Sequence, residues 1–70
     1  MVLNLFKSVG LVARYDKKQA LTLAEELSAH LVNRGLEVFL EDTLSGKVKS
    51  EGKFIPLKDM KPDFIITIGG

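Results

Sequence analysis

The sequence predicts an α/β protein built on a parallel sheet of three strands joined in the order βαβαβ. Two apolar runs, 9–13 and 64–68, lack the alternation of half-exposed strands, so each is typical of a strand in a covered parallel sheet. Between 17 and 34 the apolar residues recur at helical spacing instead. A strand, a long helix and a second strand at 37–41 then form a right-handed crossover unit.

The first strand is predicted over 9–13, and it contains a glycine at position 10. A glycine inside a buried strand often marks a place where another segment packs closely against the backbone. We therefore expect Gly10 to lie under a helix or a loop.

The helix that follows is predicted over 17–34, with both of its ends marked. Asp16 is a favourable N-cap residue, and Gln19 three positions later completes a capping-box-like pair. Arg34 places a cation in the last turn, and Gly35 suits a left-handed residue after the helix. The apolar stripe consists of Ala20, Ala24, Leu27 and Leu31.

The second strand, 37–41, is short and has charged ends. The stretch 42–53 has neither a helical nor a strand period and contains three lysines, so we expect a partly mobile loop. Pro56 suits the first position of a short helix through residue 60 or 61, and Pro62 ends that helix.

The last strand, 64–68, is predicted to be buried on both faces, and Gly69 and Gly70 follow it at once. With the first and third strands placed centrally, the predicted strand order is 2-1-3. Ligands of such sheets bind beyond the carboxyl ends of the strands. Arg14, Gly69 and Gly70 are therefore the candidate ligand-binding residues.

Composition limits the range of functions. Seventy residues allow one small domain, and ten basic against nine acidic residues provide no basis for binding nucleic acid or an anionic membrane. The chain has no cysteine, which fits a reducing compartment, and no apolar run long enough to span a bilayer. A cytoplasmic protein is the expectation.

Two stretches together resemble a known enzyme family. Residues 10–17, with the helix behind them, resemble the start of NAD kinases, particularly archaeal ones. Residues 54–60 and 63–70 resemble the approach of that family to its Gly-Gly-Asp-Gly-Thr motif. The similarity covers nearly the whole chain apart from 1–7 and 43–52. It implies that residues 1–70 are a partial, Rossmann-like N-terminal domain and that the β-rich second domain is absent.

The resemblance also implies a reaction. NAD kinases phosphorylate the 2′-hydroxyl of the adenosine ribose of NAD with ATP and a divalent metal ion such as Mg²⁺. Their proposed catalytic base is the aspartate after the glycine pair, which would follow Gly70, so no residue of this chain is assigned to catalysis or to a metal. Gly69 and Gly70 would let the backbone approach the ligand. Arg14 is either a phosphate ligand or a partner of Asp16.

Other functions stay open at this point. Diacylglycerol kinases and phosphofructokinases carry a related Gly-Gly-Asp-Gly motif, and iron-dependent alcohol dehydrogenases place Gly-Gly-Gly-Ser after a similar strand. A non-catalytic α/β binding module is the alternative outside enzymes. The isolated chain is expected to be inactive and to form homo-oligomers, because a small parallel sheet leaves its edges uncovered.

Overall fold

The computed structural model describes residues 6–69, which form one α-helix, two short 3-10 turns and a four-stranded sheet. The strands are β1 (Ser8–Ala13), β2 (Glu37–Glu41), β3 (Lys53–Ile55) and β4 (Phe64–Ile68), and the helix is α1 (Lys18–Asn33). The 3-10 turns are Asp42–Leu44 and Leu57–Asp59. No helix in this part of the chain has the length and hydropathy needed to cross a membrane.

All neighbouring strands are parallel, in the order β3-β2-β1-β4. The prediction of three strands is wrong, because Lys53–Ile55 adds a fourth beside β2. The relative order of the three predicted strands is confirmed, since β1 lies between β2 and the last strand. The arrangement is compatible with a Rossmann-like α/β fold.

Helix α1 covers one face of the sheet and forms the core with it. Its buried stripe packs on inward-facing residues of β1, β2 and β4, and one turn of the 42–48 segment joins the same cluster. The buried apolar residues of this core are Val9, Leu11, Ala13, Ala20, Ala24, Leu31, Leu36, Val38, Leu40, Leu44, Val48 and Ile68. Within residues 6–69 the single α-helix packs on one face of the sheet, so the opposite face is less completely buried.

The start of α1 differs from the prediction. Lys17, not Asp16, occupies the N-cap position, and no side chain caps the helix. The capping box fails because the Asp16 carboxylate is taken by the Arg14 guanidinium. The end of the helix is as predicted, since Gly35 has a left-handed φ of 85°.

The 42–52 segment is more ordered than a mobile loop. Leu44 is fully buried and Val48 nearly so, which anchors the segment on the core. A Cβ on Gly52 would lie 2.6 Å from the Val38 carbonyl oxygen, so the chain passes directly against β2 at that point. The sequence pattern did not predict this attachment to the core, because only two apolar residues of the segment, Leu44 and Val48, point inward.

The face opposite α1 is covered by the connection from β3 to β4. A Cβ on Gly10 would collide with the Met60 sulfur and lie 3.1 Å from Pro62, so the glycine makes room for this connection, as predicted. Ile65 on the same face is 45% exposed, and Thr67 is exposed as well. The prediction that the last strand is buried on both faces is therefore wrong for these residues.

A carboxylate joins β1 to β4 at the amino ends of the strands. The Asp63 Oδ2 accepts hydrogen bonds from the backbone N–H groups of Lys7 at 2.6 Å and Ser8 at 3.1 Å. The Ser8 hydroxyl accepts one in return from the Asp63 N–H at 3.0 Å. Phe6 packs its ring edge-on against Phe64, with centroids 5.0 Å apart, and closes this end of the sheet.

Candidate functional site

The sheet topology brings the candidate residues together. The connection through α1 leads from β1 to β2 on one face, and the connection into β4 crosses the other face. The strand order therefore reverses between β1 and β4, and ligands of doubly wound sheets bind beyond the carboxyl ends of strands at such a reversal. Arg14 follows β1 there and Gly69 follows β4, and the Arg14 N–H donates to the Ile68 carbonyl oxygen at 3.2 Å.

Gly69 is placed where a side chain fits poorly. Its φ is 75°, a left-handed value that L-residues with a Cβ rarely adopt. A Cβ there would also lie 3.1 Å from the Ala20 Cβ and 3.7 Å from the Arg14 Cβ. The glycine thus lets the chain turn sharply against the first turn of α1. Gly70, the second candidate of the pair, lies outside the described residues.

A cleft of about 300 Å³ opens beside Gly69. Its lining comes from the start of α1 and the end of β4: Lys17, Gln19, Ala20, Leu23, Ile68 and Gly69. Lys17 and Gln19 were not predicted from the sequence as site residues. Their position in the sequence could have indicated this role. In doubly wound sheets, the N-terminus of the helix that follows the first strand faces the edge where ligands bind.

The electrostatics of this edge favour an anion. The first turn of α1 carries no acidic residue and no side-chain cap, so its N–H groups retain their partial positive charge. Lys17 and Lys18 add two exposed cations. A phosphate or carboxylate is the kind of group that such a helix start and lysine pair stabilise.

Arg14 is paired within its own loop. Its Nε and Nη2 donate to the two carboxylate oxygens of Asp16 at 3.2 Å and 3.0 Å. This hydrogen bonding from Arg14 is the main cause that lowers the pKa of the Asp16 carboxyl below its ordinary value. Both side chains are about half exposed, at 47% and 55%, so water screens the pair and a bound phosphate would compete with Asp16 for the guanidinium.

The ligands for a divalent metal ion are not assembled here. Within residues 6–69 no group of three or more histidine, cysteine, aspartate or glutamate side chains lies close enough to hold one. The nearby acidic residue, Asp16, is engaged with Arg14. The residues present at this edge therefore do not fit a metal site, although they suit an anionic ligand.

A second and larger cleft lies at the opposite end of the sheet. It measures about 360 Å³ and is lined by the end of α1 and the segment before β3: Ala29, Val32, Asn33, Lys49, Ser50 and Glu51. None of the candidate residues borders it. Its position at the amino ends of the strands, where doubly wound sheets do not bind their ligands, makes the Gly69 cleft the better candidate despite its smaller volume.

Together these features define a fold class, the Rossmann-like parallel α/β domain. A parallel α/β sheet with a glycine turn and an uncapped helix start at the reversal of strand order is the arrangement that nucleotide-binding domains use. Because one fold serves many functions, the ligand has to be argued from the residues at this edge.

Comparison with known proteins gives a particular relative. Over 63 residues the chain is 32% identical to an NAD kinase of Methanothermobacter thermautotrophicus. The match covers 89% of this chain and 22% of the relative, so the chain spans about a fifth of the length of that protein. No family model matches the chain, and no solved structure matches it. The similarity supports a kinase relationship and does not favour the other enzyme classes weighed from the sequence.

Proposed function

We propose that this chain is the N-terminal segment of an NAD kinase, a cytoplasmic, homo-oligomeric enzyme that converts NAD and ATP to NADP and ADP. The observation that carries the proposal is the match to the Methanothermobacter enzyme over nearly the whole chain. The position of Gly69 at the strand reversal supports it, because a ribose or phosphate needs close backbone approach there. The proposal concerns the longer protein of which these residues form one part.

The residues of this chain would bind and orient the nucleotides. Gly69 and Gly70 would present backbone atoms to the ligand, and the α1 N-terminus with Lys17 would stabilise its phosphate charge. Arg14 would exchange its bond to Asp16 for a phosphate oxygen. The family resemblance puts the carboxylate that accepts the 2′-hydroxyl proton after Gly70. No metal ligand is assigned within residues 6–69.

A chimera tests the proposal directly. The matching segment of the Methanothermobacter NAD kinase is replaced by this chain, and NADP formation from NAD and ATP is measured. We expect a folded, active chimera, because the glycine turn would deliver the following aspartate to the same edge of the sheet. A folded chimera that binds neither nucleotide and makes no NADP would contradict the proposal.

Two variants of the chimera test whether its activity depends on Gly69. Gly69→Val should abolish NADP formation, because a β-branched residue opposes a φ of 75° and crowds Ala20. Lys58→Ala changes an exposed residue of the connection to β4 and should leave activity unchanged. The purified 70-residue chain should form no NADP, because the expected base is not among its residues, and turnover by the pure chain would contradict that assignment.

A further inference from the structure

The larger of the two clefts described above lies between the end of α1 and the segment that leads into β3. Its volume of about 360 Å³ falls within the range of small-molecule pockets, which begin at about 300 Å³. Its lining belongs entirely to positions 29–51 and shares no residue with the nucleotide edge: Ala29, Val32, Asn33, Lys49, Ser50 and Glu51. The cleft is therefore a separate place for a ligand, with two walls of its own.

A pair of hydroxyl groups ties the second wall of this cleft to the helix. Ser28 on α1 is fully buried, and its hydroxyl is hydrogen-bonded to the hydroxyl of Ser50. The Ser50 oxygen also accepts a hydrogen bond from the Gly52 N–H at 2.9 Å. Val48, which directly precedes the wall, is buried in the core. Because both walls are fixed in this way, the cleft is formed before any ligand binds.

Three polar side chains of the cleft are not engaged elsewhere in residues 6–69. Asn33, Lys49 and Glu51 are exposed, and none of them takes part in a side-chain hydrogen bond or an ion pair within that range. Ser50, in contrast, is already bonded to Ser28 and to Gly52. One cation, one anion and one amide therefore line the same cleft and can all bind a ligand.

The helix wall adds an apolar surface and a partial charge. Ala29 and Val32 contribute the apolar surface, and Val32 is half-buried against the core. Helix α1 ends at Asn33, and the C-terminal end of a helix carries a partial negative charge that stabilises cations. A ligand cation is thus favoured near the helix end and Glu51, whereas a ligand anion is favoured at Lys49.

We propose that this cleft binds a small zwitterion with an apolar side chain, the class to which the aliphatic amino acids belong. The ligand carboxylate pairs with Lys49, its ammonium group pairs with Glu51, and its side chain packs on Ala29 and Val32. A nucleotide does not suit the cleft, because its phosphates would face Glu51 and the negative end of the helix. The proposal rests on residues 28–52 and is independent of the proposed function.

An NMR titration of the ¹⁵N-labelled chain with L-leucine tests the proposal. We expect saturable shifts of the Asn33 side-chain amide, which lines the cleft, and of the Gly52 backbone amide, which is bonded to its wall. The Gly69 amide, at the other cleft, should not move. Both charge pairs are exposed to water, so the dissociation constant should be on the order of 1 mM or weaker.

Charge-neutralising variants test the two ion pairs. Lys49→Gln and Glu51→Gln should each weaken leucine binding about twofold to fivefold, the range expected for exposed ion pairs. Lys47→Gln is the matched control, because Lys47 is an exposed lysine two positions earlier that does not line the cleft. It should leave the dissociation constant unchanged.

Two leucine derivatives assign each charge to its partner. N-acetyl-L-leucine has no ammonium group, so Glu51→Gln should not weaken its binding, whereas Lys49→Gln should. L-leucinamide has no carboxylate, so its binding should depend on Glu51 and not on Lys49. Both derivatives should bind more weakly than leucine, because each forms only one of the two ion pairs.

Several results would overturn the proposal. The wild type could show no saturable shift up to the solubility limit of leucine, or Lys47→Gln could weaken binding as much as Lys49→Gln does. Shifts at Gly69 in place of Gly52 would locate the ligand in the other cleft. Derivatives that bind as well as leucine would show that the charges play no part. NADP formation by the chimera is a separate measurement, so the proposed function stands or falls without this site.

Discussion

Gly69 illustrates how one backbone conformation positions the candidate site. Its left-handed φ turns the chain at the end of β4, and the lack of a Cβ lets that turn lie against Ala20 at the start of α1. The sequence predicted a close backbone approach at this position, but it did not reveal that the neighbour is the helix itself. The glycine therefore has a structural role before any ligand binds.

Replacing Gly69 should lower the free energy of unfolding more than replacing a glycine that has a similar φ but no atoms close to it. Gly69→Ala should destabilise the chain by more than about 1–2 kcal/mol, the usual cost of a left-handed residue with a Cβ, because the new methyl also crowds Ala20. Gly46→Ala is the matched control, since its φ is 82° and nothing lies within 4 Å. Urea unfolding gives both values, and equal losses would show that the Ala20 contact relaxes freely.

Asp63 should make stability depend on acid pH. Hydrogen bonds from the Lys7 and Ser8 N–H groups hold the pKa of its carboxyl below the ordinary value of 3.8. A pKa that is lower in the folded chain stabilises above the unfolded value and loses that contribution as pH falls through the folded value. The free energy of unfolding from urea titrations should therefore decrease as pH falls below about 4.

Asp63→Asn should flatten part of this decrease, because an amide does not titrate. Asp59→Asn is the control, since Asp59 is an exposed carboxylate in the nearby 3-10 turn. An acid profile that stays the same in Asp63→Asn would contradict the role assigned to the carboxylate.

At the level of elements, the segment between β2 and β3 belongs to the core. It fastens to the sheet through Leu44 and Val48, and β3 then pairs with β2 for three residues. Leu44→Ala should cost about 2–5 kcal/mol of unfolding free energy, because it leaves a cavity in a fully buried position. Leu57→Ala, at a 44% exposed position, should change stability by about 0.5 kcal/mol or less.

Chemical denaturation of both variants checks this prediction. A loss for Leu44→Ala as small as that for Leu57→Ala would mean that the 42–52 segment is loosely attached and that the expectation of a mobile loop was correct.

The elements that the sequence predicted well are those whose signals agree with one another. The helix had a complete apolar stripe and Gly35 at its end, and both outer limits of the strand 37–41 are confirmed. The short β3 was missed because three residues carry no period, and pairing with β2 creates the strand. The Asp16 cap was wrong because Arg14 competes for the same carboxylate.

At the scale of the whole molecule, the sheet has one helix layer and an incomplete second layer. The continuous apolar run 64–68 predicted cover on both faces, which holds only when a further element packs over Ile65 and Thr67. The candidate site shows the same limit. Arg14 and Gly69 lie at the same edge of the sheet, as predicted, whereas the position of Lys17 beside Gly69 follows from where the helix starts in three dimensions. Local pattern predicts elements better than it predicts what covers them.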